Sequence, residues 1–219
     1  MKRETVSVNR QRLKAVESEF LSVYPDGFAD PELVKLGKKH QVELRVKQAQ
    51  EFFAPECFAQ PQLVAENMAK TISRSSMVSV FEKPRLRDWV KGMTHQERES
   101  YALALRDMLH GDNEYGFNIM LDLLRPAKLA KWSLMTILPC YYAPHDEVFV
   151  KPTTAKGIIR YFDLEGLEYK PAPSYEFYIN YRKQILAMKE KVSPSLQSNN
   201  AAFCGFLMMM TQQGQGPSR

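Results

Sequence analysis

Apolar residues recur along most of the chain at steps of three and four, the spacing that lays one buried stripe along an α-helix. Leu13, Val16 and Phe20 form such a stripe in a helix expected over 7–22, which Pro25-Asp26-Gly27 breaks. Asp30-Pro31 restarts the helical pattern, since aspartate caps free N–H groups and proline tolerates the first helical position. This second helix is expected to reach Phe53, weakened locally at Gly37. Pro61 opens a third, with Leu63, Val64, Met68 and Ile72. Residues 77–81, Met-Val-Ser-Val-Phe, read as a short strand, and Leu86, Trp89 and Val90 sit on a short helical turn after Pro84.

Thr94-His-Gln-Glu97 is a capping box, in which the threonine side chain and the glutamate each satisfy one free amide. Tyr101, Leu105, Met108 and Leu109 make the next stripe, and Gly111 is its natural stop. A helical hairpin is expected over 114–125 and 127–138, broken at Pro126 and ended by Pro139. A loop from Cys140 and the apolar run Val148-Phe149-Val150 come next. Lys151-Pro152-Thr153-Thr154 then starts a helix with a threonine cap, carrying Ile158, Ile159 and Phe162 and stopping near Gly166. Ser174 caps a helix whose Tyr178, Tyr181, Ile185 and Met188 share one face, and Ser193-Pro194 ends it. A helix over 199–210 closes the pattern, and the Gln/Gly/Pro-rich tail 211–219 is expected to be disordered. The prediction is an all-α fold of eight or nine helices with at most two short strands. One domain covers 1–210, and a subdomain boundary, if there is one, falls at 73–84.

Composition adds bounds. A chain of 219 residues, 44% hydrophobic, buries a core without staples. Cys57, Cys140 and Cys204 are scattered and form no CxxC pair, which fits buried thiols in a reducing compartment. Met-Lys-Arg-Glu-Thr runs into polar sequence, without the apolar core of a secretory leader. The most apolar segment, 201–210, is half of the roughly 20 residues a membrane span needs. The expectation is a cytoplasmic protein with no membrane contact.

Charge changes the picture more. The formal net charge is +5 and the pI about 9.0, and the charge is segregated. Lys70, Arg74, Lys83, Arg85, Arg87 and Lys91 face only Glu82 and Asp88 in their stretch. Lys35, Lys38 and Lys39 lie on one helix face, whereas 92–124 holds two basic and six acidic residues. Seven of the ten tyrosines lie between 141 and 183, interleaved with Lys and Arg. Cations neutralise phosphates and aromatic rings stack on bases, so this segment is a candidate nucleic-acid surface. Its candidate residues are Lys128, Lys131, Lys151, Lys156, Arg160, Tyr161, Lys170 and Arg182. A structural reading competes, because Tyr178 and Tyr181 follow core periodicity.

Enzymatic signatures are sparse. GxGxxG, GxxxxGK[ST] and GxSxG are all absent, so no nucleotide cofactor or serine nucleophile is implied. His40, His95, His110 and His145 form no metal-binding pair, and no metal is expected. Cys140 and His145 share a loop and are the one local thiol–imidazole candidate. Glu168-Tyr-Lys170 with Asp146 matches a nuclease-like acid-plus-ExK pattern, so Asp146, Glu147 and Glu168 would be the carboxylates of an unrecognised DNA-acting enzyme. Phe203, Phe206, Leu207, Met208, Met209 and Met210 suggest either a core helix or a homo-oligomer or protein-interaction face.

Residues 116–167 resemble the core of helix-hairpin-helix DNA glycosylases. The resembling order is Lys128-Leu-Ala-Lys131-Trp132 after a helical hairpin, a loop with Pro139 and Pro144, Phe149-Val-Lys-Pro-Thr-Thr154, and Ala155-Lys-Gly-Ile-Ile-Arg-Tyr-Phe162. The resemblance implies that hairpin amides hold a DNA phosphate. It also implies an aspartate near the start of the later helix, which assists attack at the sugar carbon. Here Arg125-Pro126-Ala127 stands where hairpin glycines belong, and Lys151-Pro152-Thr153 offers no carboxylate. The implied function is DNA binding without glycosylase chemistry.

Overall fold

The computed structural model describes residues 9–213. Its helices are α1 (Arg10–Val23), α2 (Pro31–His40), α3 (Val42–Phe52), α4 (Pro61–Arg74), α5 (Glu82–Gly92) and α6 (His95–His110). They continue with α7 (Asn113–Leu124), α8 (Trp132–Tyr142), α9 (Pro152–Phe162), α10 (Tyr175–Lys189) and α11 (Asn200–Gln213). Short 3₁₀ turns at Gly27–Ala29, Pro55–Ala59 and Pro194–Leu196 complete the secondary structure. The all-α class is as expected, with eleven α-helices where the pattern suggests eight or nine, and no strand among the described residues.

The fold is organised around α8, which is buried from Trp132 through Tyr141. A helix apolar on all sides belongs in the interior, and α3, α4, α6 and α7 pack against it. Its few polar groups are satisfied. Thr136 donates to the Trp132 carbonyl at 2.7 Å, Ser133 donates to Glu82 at 2.6 Å, and the Tyr141 hydroxyl lies 2.8 Å from that of Ser75. Buried side chains from Leu13 to Met210 form one hydrophobic cluster, to which both sides of the 73–84 segment contribute. Helices α6 and α7 approach so closely that a Cβ on Gly116 would lie 2.4 Å from the Met108 amide nitrogen.

Three of the expected caps are present. Asp30 accepts from Glu32 N–H, Thr94 and Glu97 form the reciprocal box, and Ser174 accepts from Phe177 N–H. Thr154 is not a cap: it lies buried inside α9, and Lys151 holds the cap position without a side-chain bond. The helix expected from Asp30 to Phe53 divides at Gln41, whose backbone turns left-handed (φ 52°) while its side chain accepts from Arg45 at 2.7 Å. Pro139 lies within α8 and does not end it; burial of the whole helix outweighs the one N–H that proline lacks.

The strand expected at 77–81 is a turn. Ser75 and Ser79 capture the amides of Met77 and Phe81 at 3.1 and 3.3 Å, giving the backbone an alternative to ladder bonding. Residues 148–150 are buried without pairing to a strand, because side chains satisfy their amides: Val148 donates to Tyr178 Oη at 3.4 Å and Val150 to Thr136 Oγ1 at 3.0 Å. At the C-terminus α11 takes in residues 211–213, the first three of the expected disordered tail. Residues 214–219 lie outside the described residues, as do 1–8.

Candidate nucleic-acid interface

The turn between α7 and α8 is built by a left-handed lysine. Lys128 has φ 57° and donates its amide to the Arg125 carbonyl at 3.0 Å, while Leu129 donates to the Leu124 carbonyl at 2.9 Å. This bond pair is the Schellman ending of a helix, with a left-handed lysine where glycine is commonest. Leu129 is anchored in the core, and Lys128 and Lys131 are left exposed on the turn. Lys131 is the N-cap of α8 and makes no side-chain cap bond, so the first amides of α8 lack that partner.

Helix α5 docks beside this turn. Arg85 donates to the Ala127 carbonyl at 3.4 Å, and Glu82 is held by the Ser133 hydroxyl at the start of α8. Arg85, Lys128 and Lys131 are thereby brought to one edge of the fold, with the half-buried Lys83 two positions before Arg85 on α5. Among the described residues none of the four has a carboxylate within ion-pair distance. Arg125 and Arg87 differ, since they pair with Asp122 at 2.8 Å and Asp88 at 3.2 Å. Immediately before α5, Val80 and Phe81 are 69% and 79% exposed. The excess of cations over 70–91 is legible in the sequence, but its contact with the α7–α8 turn is not. The exposed ring of Phe81 is hidden there as well, inside an apparent strand pattern.

The other expected residues fall into separate places. Lys170 is exposed beside Trp132, whose indole N–H donates to the Lys170 carbonyl at 2.8 Å; its ammonium lies 3.8 Å from Glu168. Lys151, Lys156 and Arg160 are exposed along α9 and its N-cap. Lys156 stands over the Tyr169 ring at 5.0 Å, and Tyr169, Phe177 and Trp132 make successive ring contacts. Trp132 and Phe177 are buried, so these rings link α9 to the start of α8 through the interior. Tyr161 is half-buried against Phe162, and its carbonyl accepts from Arg12 at 2.6 Å.

Arg182 is directed inward. It ion-pairs with Glu147, which also accepts from the Tyr178 hydroxyl, and its guanidinium stacks 5.7 Å from the Tyr178 ring. Burial pushes the Glu147 carboxyl above its ordinary value, against the pull of both donors. Tyr141, Tyr178 and Tyr181 are likewise core residues, with Phe117 stacked on Tyr178 and Phe177 on Tyr181. Core packing therefore accounts for three of the tyrosines in the basic-aromatic segment: Tyr178 and Tyr181 by the expected periodicity, and Tyr141 because it lies in the all-buried α8 and not in the expected loop.

The enzymatic candidates do not assemble. Glu147 is engaged as above, while Asp146 is exposed and Glu168 is beside Lys170. No group of three His, Cys, Asp or Glu side chains placed to hold a metal ion occurs among the described residues. The Cys140 thiol is buried and raised well above its ordinary value by desolvation, and that of Cys204 is pushed up to about 12. A protonated, desolvated thiol is a poor nucleophile. On α11, Phe203, Phe206, Leu207 and Met210 are buried in the core, so this helix docks on its own chain through the residues that suggest an oligomer face.

No helix of the described residues is long and apolar enough to cross a membrane. Comparison with protein-family models, with curated proteins and with solved structures finds no match to this chain.

Proposed function

We propose that this protein binds nucleic acid through the edge formed by α5 and the α7–α8 turn, with the exposed face of α9 as its extension. The observation that carries the reading is the docking of Arg85 on the Ala127 carbonyl, which brings it to the turn of Lys128 and Lys131, all three without carboxylate partners among the described residues. Cations arranged in this way replace the counterions of a phosphate backbone, the main source of sequence-independent affinity. Phe81 at the end of the same edge offers a free ring face on which an unpaired base stacks. The resemblance to helix-hairpin-helix proteins agrees in placing a phosphate at the turn before α8, where the uncapped amides favour an anion. The chain lacks the family's carboxylate at Lys151–Thr153, so the proposed activity is binding and not base excision.

The test is fluorescence anisotropy with labelled duplex and single-stranded DNA at low salt, repeated with a Lys128→Ala/Lys131→Ala/Arg85→Ala variant. The wild-type chain binds, and the variant binds at least about ten-fold more weakly, three phosphate contacts having been lost. Absence of binding by the wild-type protein at low salt, or an unchanged affinity in the variant, overturns the reading.

A further inference from the structure

Arg45 of α3, the helix that packs against α8, is buried, with only 6% of its surface exposed. Its Nη1 donates to Gln48 Oε1 at 2.6 Å and its Nη2 to Gln41 Oε1 at 2.7 Å. Its Nε is buried and has no hydrogen-bond partner among the described residues. A guanidinium carries five N–H donors, and these two bonds occupy two of them. Among the described residues no carboxylate lies within ion-pair distance of it. Both acceptors are neutral carboxamides, which satisfy a hydrogen and leave the charge uncompensated. A charge taken out of water is normally accompanied by a counter-charge. Arg182, also directed inward, has one in Glu147.

The surroundings of Arg45 on α8 are hydroxylic. Burial pushes the Tyr141 hydroxyl up to about 12, and Arg45 is close enough for its charge to pull the other way. That hydroxyl lies 2.8 Å from the Ser75 hydroxyl, which is itself buried. The way in is Gln41, an exposed residue at the left-handed break between α2 and α3. Its carboxamide occupies Nη2, which forms with the unpartnered Nε the edge by which a guanidinium takes a carboxylate in two parallel bonds. A carboxylate has the shape of that carboxamide. It adds the missing charge and a second acceptor oxygen for Nε, while the displaced glutamine turns to water.

We infer that Arg45 is the seat of an anion site that takes a carboxylate on its Nε–Nη2 edge in place of the Gln41 side chain. This inference does not depend on the α5 edge. The carboxylate belongs either to a small organic acid or to an acidic side chain of a peptide; the two share the planar, charged pair of oxygens and differ in what is attached to it.

Thermal melting of the full chain at constant ionic strength tests the site, with acetate, glutarate, inorganic phosphate, a glutamate pentapeptide and a glutamine pentapeptide as probes and chloride as the reference. A carboxylate probe raises the melting temperature saturably by about 3 °C or more, and the glutamine peptide does not. A small acid effective at concentrations as low as the glutamate peptide supports an organic acid. A glutamate peptide effective at concentrations at least about ten-fold lower supports a peptide. Arg45→Met removes the buried charge, so its melting temperature without carboxylate is at or above that of the wild type and no longer responds to the probes. Gln41→Glu supplies the counter-charge within the chain. It raises the melting temperature and removes the response, and it decides the matter should Arg45→Met fail to fold. No rise with any carboxylate, a larger rise with phosphate, an undiminished response in Arg45→Met, or a Gln41→Glu variant no more stable than the wild type overturns the inference.

Discussion

Arg182 of α10 is ion-paired with Glu147, which lies five residues beyond the end of α8. The same carboxylate accepts the Tyr178 hydroxyl, and Asn200 at the start of α11 donates to the Glu147 carbonyl at 2.9 Å. One buried acid thus joins α10, α11 and the loop between α8 and α9. Removing one partner of a largely desolvated pair leaves an uncompensated charge, which costs about 3 kcal/mol or more, whereas apolar replacement of both partners is far milder. Urea unfolding of Arg182→Met and of Glu147→Leu is expected to show that loss in each. The double variant should be more stable than the sum of the two losses. Strict additivity would show that the pair contributes nothing as a pair.

The contact of α6 with α7 leads to a second stability prediction. A methyl group on Gly116 would meet the Met108 nitrogen at 2.4 Å, the Asp107 carbonyl carbon at 2.7 Å and the Ala104 oxygen at 2.8 Å. All three are backbone atoms of a regular helix and cannot step aside singly. Gly116→Ala, usually a favourable change inside a helix, is expected to destabilise the fold by about 3 kcal/mol through overpacking. A thermal midpoint equal to or above that of the wild type would contradict the close approach.

Legibility in the sequence tracks the range of the forces concerned. The Thr94–Glu97 box and the Asp30 and Ser174 caps are local exchanges of hydrogen bonds within three residues, and all of them form. The break at Gln41 is hidden because glutamine carries no left-handed preference, and it rests on contacts such as that from Arg45. Pro139 misleads because the rule that proline ends helices omits the burial that sustains α8. On the basic surface, the cations of α5 and of the α7–α8 turn are each visible as charge. Their junction depends on Arg85 reaching Ala127 across 42 positions, which no local pattern encodes. Arg182 resembles a surface cation for the same reason: its partner Glu147 is 35 positions away.

Buried phenols set the alkaline limit of the fold. Desolvation raises the hydroxyls of Tyr101, Tyr178 and Tyr181 far above the ordinary 10.0 and pushes that of Tyr141 up to about 12. The unfolded chain therefore releases these protons first as pH rises. The stability these groups contribute is complete below pH 10 and is lost as pH climbs through 10 towards the folded values. Phenolate absorbance should rise in two phases, the exposed tyrosines first and the buried set together with loss of helical ellipticity. Smooth titration of all ten tyrosines with the helices intact would place these rings in water.

Phe81 distinguishes a stacking surface from a purely electrostatic one. Under the proposed binding, Lys128 and Lys131 would contact phosphates, so replacing either with alanine is expected to weaken duplex and single strands alike and to lower the salt slope by about one per contact. Phe81 carries no charge, and its ring is free at the end of the α5 edge. Duplex bases are already stacked and present no face to it, whereas a single strand does. Phe81→Ala should leave the salt slope and the duplex affinity unchanged while costing about 1–3 kcal/mol in single-strand affinity. Being exposed, the ring can be removed without disturbing the core, so unchanged thermal stability serves as the control. An equal loss on both substrates would assign Phe81 to shaping the edge; no loss on either would leave the cations alone to account for binding.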